Sequence, residues 1–195
     1  MARTAAITRK TLETRIDLAL SLDGKGSFTG ETGIGFFDHM LTSFVKHAGF
    51  DLNISCDGDL HIDDHHTVED VGICLGQAFV QAISDGAGIA RFGHAYAPLD
   101  EALARAVFDI SGRAHLEFDA AFSRSSVGDF STEMVREFFG AFVHHGRITL
   151  HISLITGVNA HHQVEAVFKA TARALRQAVS KDERVSGVPS TKGSL

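Results

Sequence analysis

A polar motif that occurs twice, each time ahead of the same apolar pattern, constrains the fold of this chain more than any other feature. Residues 65–69 (HHTVE) and 161–165 (HHQVE) both read HHxxE, and a shift of 96 residues superimposes them. Behind each motif, apolar residues follow at the three- and four-residue spacing of an amphipathic helix. An internal repeat of this kind predicts a chain built of two similar halves.

Hydrophobic periodicity extends the repeat from the motifs to whole halves. Period-two alternation predicts strands, and apolar residues three and four apart predict helices. The predicted elements are a strand over 13–22, a second strand after the turn at 23–26, a helix capped by Asp38 and ended by Gly49, a strand over 50–55, a helix from His65 to about Ser84, a loop over 86–98, strands over 104–111 and 113–119, a helix ended by Gly146, a strand over 147–154 and a helix ended at Val179.

The order hairpin, helix, strand, helix therefore occurs twice. We predict an α+β fold of tandem duplicated ββαβα halves, whose sheets pack against helices. We expect one domain over residues 1–195, with halves at about 3–95 and 96–185 and a separate tail at 186–195.

Charge, hydropathy and cysteine content exclude several classes of protein. The net charge of -6 argues against a general nucleic-acid-binding protein. No apolar run approaches the roughly 20 residues of a membrane span, and residues 1–10 lack the apolar stretch of a signal peptide. Cys56 and Cys74 are too few and too far apart for a disulfide framework. We therefore expect a cytoplasmic protein without a membrane or nucleic-acid partner.

Histidine is the compositional outlier, with twelve residues in the chain. Imidazole and carboxylate groups three or four residues apart share one face of a helix, and such sets suit zinc, manganese or iron. The candidate ligands are six imidazoles and two carboxylates: His39, His65, His66, Glu69, His151, His161, His162 and Glu165. A single motif could also be an acidic helix N-terminus with exposed histidines, but the second copy favours metal binding.

Helix geometry divides these ligands between two ions, because adjacent side chains point about 100° apart. We hypothesise that one ion is held by His65, Glu69, His151 and His162, and that the other is held by His39, His66, His161 and Glu165. This arrangement requires the two helix N-termini to converge. If they do not meet within one chain, the sites must form between subunits.

Other polar residues leave alternatives open. Arg91, Arg113, Lys169 and Lys192 could neutralise an anionic substrate, and the donors of residues 190–193 (STKG) could hold a phosphate. Lys169 could equally form an intrahelical salt bridge with Glu165, and residues 190–193 could be a frayed tail. Spacing alone makes Glu13 an exposed edge carboxylate. His144 and His145 lie at a helix C-terminus, where histidine is simply favourable, so we assign them no function.

Seven segments of this chain resemble one enzyme family. They are residues 36–41 (FFDHML), 58–72 (GDLHIDDHHTVEDVG), 91–93 (RFG), 97–103 (APLDEAL), 109–113 (DISGR), 159–178 (NAHHQVEAVFKATARALRQA) and 189–193 (PSTKG). They are similar to the imidazoleglycerol-phosphate dehydratases of histidine biosynthesis, in the monofunctional form without a preceding phosphatase domain. The similarity covers nearly the whole chain, and its paired HHxxE motifs are highly specific.

This resemblance implies a reaction, cofactors and an assembly. The family dehydrates D-erythro-imidazole glycerol phosphate to imidazole acetol phosphate, through a metal-bound imidazolate with carboxylate acid/base catalysis. It uses two manganese ions per active site and forms a homo-oligomer of 24 subunits with active sites at subunit interfaces.

The resemblance also assigns roles to residues of this chain. It supports all eight metal ligands and implies catalytic roles for Glu13 and Glu165. It implies substrate binding, chiefly through phosphate, by Arg91, Arg113, Lys169, Ser190 and Lys192, which makes residues 186–195 a substrate-binding tail. Thr191 replaces a serine often found in that tail, which changes little.

Two other functions fit parts of the pattern. A dinuclear metal-dependent hydrolase of a small phosphorylated metabolite would also need metals and cations, but such sites are usually richer in carboxylates. A metal-storage protein would need the ligands but not the clustered arginine and lysine residues.

Overall fold

The structure is a computed structural model, and it describes residues 2–195. The elements in chain order are β1 (Thr4–Lys10), β2 (Thr14–Ser21), β3 (Ser27–Glu31), α1 (Gly35–Ala48), β4 (Asp51–Gly58), α2 (His65–Ile83), β5 (Phe92–Leu99), β6 (Ala102–Asp109), β7 (His115–Asp119), β8 (Ser126–Val127), β9 (Phe130–Ser131), α3 (Met134–Gly146), β10 (Thr149–Thr156) and α4 (Ala160–Val179). Apart from the short hairpin β8–β9, the second half repeats the element order of the first.

Strand pairing confirms the predicted α+β fold with duplicated halves. One four-stranded sheet has the order β1-β2-β4-β3, and the other has the matching order β5-β6-β10-β7. The register repeats too: Thr4 pairs with Ser21 and Phe92 with Asp109, which a shift of 88 residues relates. A shift of 98 relates β4 to β10.

The predicted hairpins are wrong, and each main sheet contains four strands where three were expected. β2 forms its hairpin with β1, whereas β3 pairs in parallel with β4 at the opposite edge of the sheet. The strand β5 occupies most of the predicted loop over 86–98, and Pro98 is tolerated there because β5 is an edge strand. β6 and β7 do not pair with each other, because β10 lies between them.

The start of α1 also differs from the prediction. The helix begins at Gly35, after Ile34, so Asp38 lies inside its first turn instead of capping it. The Asp38 carboxylate accepts hydrogen bonds from the backbone N–H (2.8 Å) and the hydroxyl (2.7 Å) of Thr32, and thereby secures the loop before the helix.

The helices pair across the two halves and bury a phenylalanine-rich core between the sheets. α1 packs against α4, and α2 packs against α3. Phe138 of α3 is fully buried and stacks on Phe142 and Phe168. This cross-pairing places the first turn of α1 beside the N-terminus of α4, which carries the second HHxxE motif. Within residues 2–195, no helix is both long enough and apolar enough to cross a membrane.

Candidate metal centre and substrate site

The N-termini of α2 and α4, which we call the α2 head and the α4 head, are built in the same way. Asn159 Oδ1 accepts from the backbone N–H groups of His161 (2.9 Å) and His162 (3.4 Å). At the matching position, Asp63 Oδ1 accepts from the N–H of His65 (2.9 Å). These bonds satisfy donors that a helix N-terminus leaves free, so both heads present their histidines from an ordered first turn.

The α4 head gathers three of the eight predicted ligands. His39 Nε2 lies 3.3 Å and His161 Nε2 3.1 Å from Glu165 Oε2, and the ligand atoms of all three residues lie within 4.8 Å of one another. Lys169 Nζ lies 2.6 Å from Glu165 Oε1, which is the predicted intrahelical ion pair. Burial alone would raise the pKa of Glu165, but Lys169 and the two histidines outweigh burial and lower it. The carboxylate is therefore anionic and ready to bind a cation.

The second histidine of each head has a carboxylate behind it. His66 Nδ1 lies 2.9 Å from Asp59 Oδ2, and His162 Nδ1 lies 2.8 Å from Glu101 Oε2. These hydrogen bonds raise the pKa of both histidines. They also leave Nε2 as the free nitrogen of each ring, which is the arrangement of metal-binding histidines with an outer carboxylate.

The α2 head is more open. His65 Nε2 lies 3.9 Å from Glu69 Oε2, and both side chains are almost half exposed. Glu13, at the turn between β1 and β2, places Oε1 3.7 Å from His66 Nε2. The carboxylate that spacing alone marked as an edge residue therefore lies beside a predicted metal ligand.

The two heads do not form the predicted sites within one chain. Among the described residues, the only group of three or more potential ligands is His39, His161 and Glu165. His151 lies exposed on β10 with its ring 5.8 Å from that of His115, apart from this cluster. The described chain thus brings together only part of each predicted ligand set, which is the condition under which we predicted sites shared between subunits.

The predicted phosphate-binding residues lie mostly at the other end of α4. Arg91 donates to Asp109 (2.7 Å) and to the carbonyl of Pro189 (2.9 Å), which brings it next to Ser190 and the tail. Its backbone N–H bonds the carbonyl of Ala178 (2.9 Å), 13 residues after Glu165 along the helix. At 1.5 Å per residue, that separation is about 20 Å.

The two remaining candidates for phosphate binding, Arg113 and Lys192, form hydrogen bonds with residues close to them in sequence. The guanidinium of Arg113 donates to the carbonyl of Ser111 (3.3 Å), and Lys192 donates its backbone N–H to the Ser190 hydroxyl (3.2 Å). Of the predicted phosphate-binding residues, all of which the structure describes, Lys169 alone contacts the group of His39, His161 and Glu165.

Two residues in contact with these heads, Asp59 and Glu101, were missed from sequence, and so was the repeat position of a third, Glu137. Asp59 and Glu101 lie in loops and reach their histidines only through the fold. Glu137 had a readable signal: the shift of 98 residues that aligns the buried faces of α1 and α3 places Glu137 at the position of His39. A carboxylate near the start of α3 thus corresponds to the imidazole near the start of α1.

Comparison with known proteins agrees with these motifs. The family model for imidazoleglycerol-phosphate dehydratase matches residues 32–175. The imidazoleglycerol-phosphate dehydratase of Acidovorax sp. (strain JS42) is 59% identical over 194 residues, which cover 99% of this chain and 92% of that protein. The enzyme of the same name from Ralstonia pickettii (strain 12J) is 57% identical over 196 residues and the full length of both.

Solved structures show the same architecture. The crystal structure of imidazoleglycerol-phosphate dehydratase from Staphylococcus aureus subsp. aureus N315 matches with a TM-score of 0.84 and 44% identity, over 92% of this chain and 99% of that one. The structure of IGPD from Pyrococcus furiosus in complex with (S)-C348 matches with a TM-score of 0.83 and 35% identity, over 97% and 100%. The chain therefore belongs to the imidazoleglycerol-phosphate dehydratase family, whose members are hydro-lyases of histidine biosynthesis.

Proposed function

We propose that this chain converts D-erythro-imidazole glycerol phosphate to imidazole acetol phosphate with two manganese ions per active site. The observation that carries the proposal is the pair of HHxxE heads, each with a carboxylate-backed histidine, together with Glu13 at 3.7 Å from His66. The low cysteine content supports work in the reducing cytoplasm.

The side chains at the heads suit manganese. They offer imidazole and carboxylate groups and no sulfur, which fits a borderline or hard divalent cation. We propose one site of His65, Glu69, His151 and His162, and a second site of His39, His66, His161 and Glu165. When bound, two such ions would supply Lewis-acid stabilisation of negative charge on the substrate's imidazole ring.

Active sites formed between subunits would complete the two proposed sets of metal ligands. Arg91 and the Ser190 region lie about 20 Å along α4 from Glu165, so phosphate held there cannot belong to a small substrate at the same chain's cluster. We propose that neighbouring copies in a 24-subunit assembly bring an α2 head, an α4 head and a tail together. His151 would also reach a metal from a different copy.

The chain's own groups would then move protons and hold the phosphate. Arg91, Arg113, Lys169 and Lys192 would neutralise the phosphate, and Ser190 would donate a hydrogen bond to it. Ser190 and Lys192 belong to the substrate-binding tail, residues 186–195, of the single domain. Glu13 or Glu165 would take the proton from C2 as the C3 hydroxyl departs, so that the proton and the hydroxide together make up the one water lost, and the resulting enol becomes the ketone. Positioned acid-base groups of this kind contribute roughly 10²–10⁴-fold.

One assay tests the proposal against its rivals. Purified protein is mixed with Mn²⁺ and imidazole glycerol phosphate, and imidazole acetol phosphate and inorganic phosphate are both quantified, with a chelator-treated sample as control. We expect the ketone without phosphate release, and loss of turnover on chelation. Phosphate release would instead indicate a hydrolase, and tight Mn²⁺ uptake without turnover would indicate metal storage.

A further inference from the structure

A polar triad joins the α2 head to the turn that carries Glu13: Thr14 and Asp70 are buried, and the Arg9 side chain is 32% exposed. Asp70 follows Glu69 on α2 and is 5% exposed. Arg9 Nη2, on β1, lies 2.9 Å from its Oδ1, and the hydroxyl of Thr14, at the start of β2, donates to its Oδ2. We call Arg9, Thr14 and Asp70 the strut. Its two strand residues flank the turn on either side, so the strut connects that turn directly to the helix.

The second half of the molecule has alanine at all three positions of the strut. The shift of 88 residues that relates the hairpins maps Arg9 to Ala97 and Thr14 to Ala102, and the shift of 96 that relates the heads maps Asp70 to Ala166. These alanines are buried, at 3%, 1% and 0% exposure. The same strands and helix therefore pack without any polar group there.

Burying the Asp70 carboxylate is costly, and an ion pair with one buried partner often contributes little net stability compared with apolar packing. Because the architecture forms with alanines in one half, architecture does not explain the strut in the other half. Its presence calls for a function that belongs to the first half alone.

The two halves also differ in how they hold the glutamate of the first turn, and the strut can explain that difference. In the first half this glutamate is Glu13. Its counterpart Glu101 is fixed through its own carboxylate, which accepts from the backbone N–H groups of Val158 (3.0 Å) and Asn159 (2.8 Å) and lies 2.8 Å from His162. That carboxylate is committed to holding the α4 head and is not available to move a proton.

Glu13 is instead held through its backbone. Its N–H donates to Thr11 Oγ1 (3.0 Å), and its carbonyl accepts from the N–H of Asp59 (3.1 Å). The same Thr11 hydroxyl accepts from the N–H of Thr14 (2.9 Å), which ties the turn to the strut. The Glu13 carboxylate itself is 53% exposed and faces His66 Nε2.

We infer that the strut of Arg9, Thr14 and Asp70 is a positioning device that sets Glu13 against the α2 head while leaving its carboxylate free. The inference rests on the proposed function only in that Glu13 takes part in proton transfer. None of the three strut residues touches the substrate in this scheme; they act through the placement of Glu13.

The first test compares two substitutions at Thr14 in the full-length, manganese-loaded protein. Thr14→Val keeps the shape of the side chain and removes the hydroxyl, whereas Thr14→Ser keeps the hydroxyl. We expect Thr14→Val to lower kcat by roughly 10- to 100-fold, the scale of an ångström-level misplacement, with KM changed less than about twofold. Thr14→Ser should keep most of the wild-type kcat. Equal kcat values for the two variants would overturn the inference.

The second test copies the other half of the molecule by making Arg9→Ala, Thr14→Ala and Asp70→Ala together. We expect a folded protein with wild-type manganese stoichiometry and a kcat at least as low as that of Thr14→Val. Arg3→Ala, which removes the ion pair with Asp23 at the far end of the same hairpin, should leave kcat unchanged. Wild-type kcat in the triple variant would exclude a positioning role.

A crystal structure of Thr14→Val separates this inference from the proposed function. The Glu13 Oε1 to His66 Nε2 distance of 3.7 Å should lengthen or the turn should lose its order. An unchanged turn would overturn the inference even if the wild-type protein is an active dehydratase. If the turn is displaced in Thr14→Val but the wild-type protein has no dehydratase turnover, the positioning role of the strut is supported and the proposed function is refuted.

Discussion

The two heads contain the same HHxxE residues in different surroundings. In the α4 head, the Glu165 side chain is 12% exposed and contacts His39, His161 and Lys169. In the α2 head, the matching Glu69 side chain is 45% exposed and contacts His65 at 3.9 Å. The ligand pattern was therefore repeated while its neighbours diverged. If the heads bind metal as proposed, the α4 head is a preassembled half-site, and the α2 head is an open one that needs further ligands.

The divergence follows from residues next to the motif. The position of Lys169 is occupied in α2 by Ile73, under the 96-residue shift, so Glu69 has no cation four residues along its helix. The position of His39 is occupied in α3 by Glu137. The repeat thus replaces an imidazole of the first half with a carboxylate in the second.

The largest expected effect comes from removing the carboxylate of each head in turn. Glu165→Gln should weaken Mn²⁺ binding by on the order of 100-fold or more, because it removes a direct ligand and leaves the Lys169 ammonium beside the site. Glu69→Gln should weaken binding less, because the exposed Glu69 has no such cation to release. Titration of Mn²⁺ by electron paramagnetic resonance measures both affinities. Equal losses would show that the preassembled cluster gives the α4 head no advantage.

A smaller effect is expected from the outer carboxylates. Loss of a carboxylate behind a metal-binding histidine costs about 10- to 100-fold in metal affinity. Glu101→Gln should fall at the upper end of that range, because Glu101 also accepts from the N–H groups of Val158 and Asn159, which with His162 lower its pKa to about 2. Asp59→Asn should fall at the lower end. Isothermal titration with Mn²⁺ checks the order, and a larger loss for Asp59→Asn would contradict it.

The sequence predicted the repeated elements well because their signals are local. Both heads, all four helices and the central strands follow from hydrophobic spacing within single segments. The edge strands β1 and β5 escaped prediction because they show little apolar contrast. β1 alternates only between exposed and partly buried positions, and the buried positions of β5 are the small residues Gly93 and Ala97. Strand order was also not local information, since β10 enters between β6 and β7 from 30 residues further along the chain.

The candidate site divides along the same line. One hypothesised site contains His39, His161 and Glu165, and these three residues lie together in the structure. The ligands that α2 was expected to supply to the two sites do not join them. The Glu101 contact with His162 spans 61 residues, and no spacing rule anticipates it. Assignments that depend on neighbouring subunits, including His151 and the tail residues, remain predictions.

The smallest expected effect concerns the helix contacts that hold the two heads in place. A Cβ added to Gly72 of α2 would lie 2.7 Å from the carbonyl oxygen of Phe138 and 3.0 Å from Ala141 Cβ, so α2 and α3 touch nearly backbone to backbone. The counterpart of Gly72 in α4 is Phe168, whose ring stacks on Phe138 at 5.5 Å between centroids. The contact between α2 and α3 thus has no room for a side chain at residue 72, whereas α4 has the large side chain of Phe168 at the matching position.

Two effects of opposite sign compete in Gly72→Ala. Alanine is the better helix former by up to about 1 kcal/mol, whereas overpacking a tight contact costs about 1 to 3 kcal/mol. Because the close atom is a backbone carbonyl, which cannot move without its helix, the clash should prevail. We expect net destabilisation of about 0.5 to 2 kcal/mol in urea unfolding. The control is Ala172→Gly, at the α4 position that matches Gly76, which should cost about 1 to 2 kcal/mol through helix propensity and the loss of a buried methyl group. A stabilised Gly72→Ala variant would mean that α2 can move away from α3, and the open α2 head would then be a mobile one.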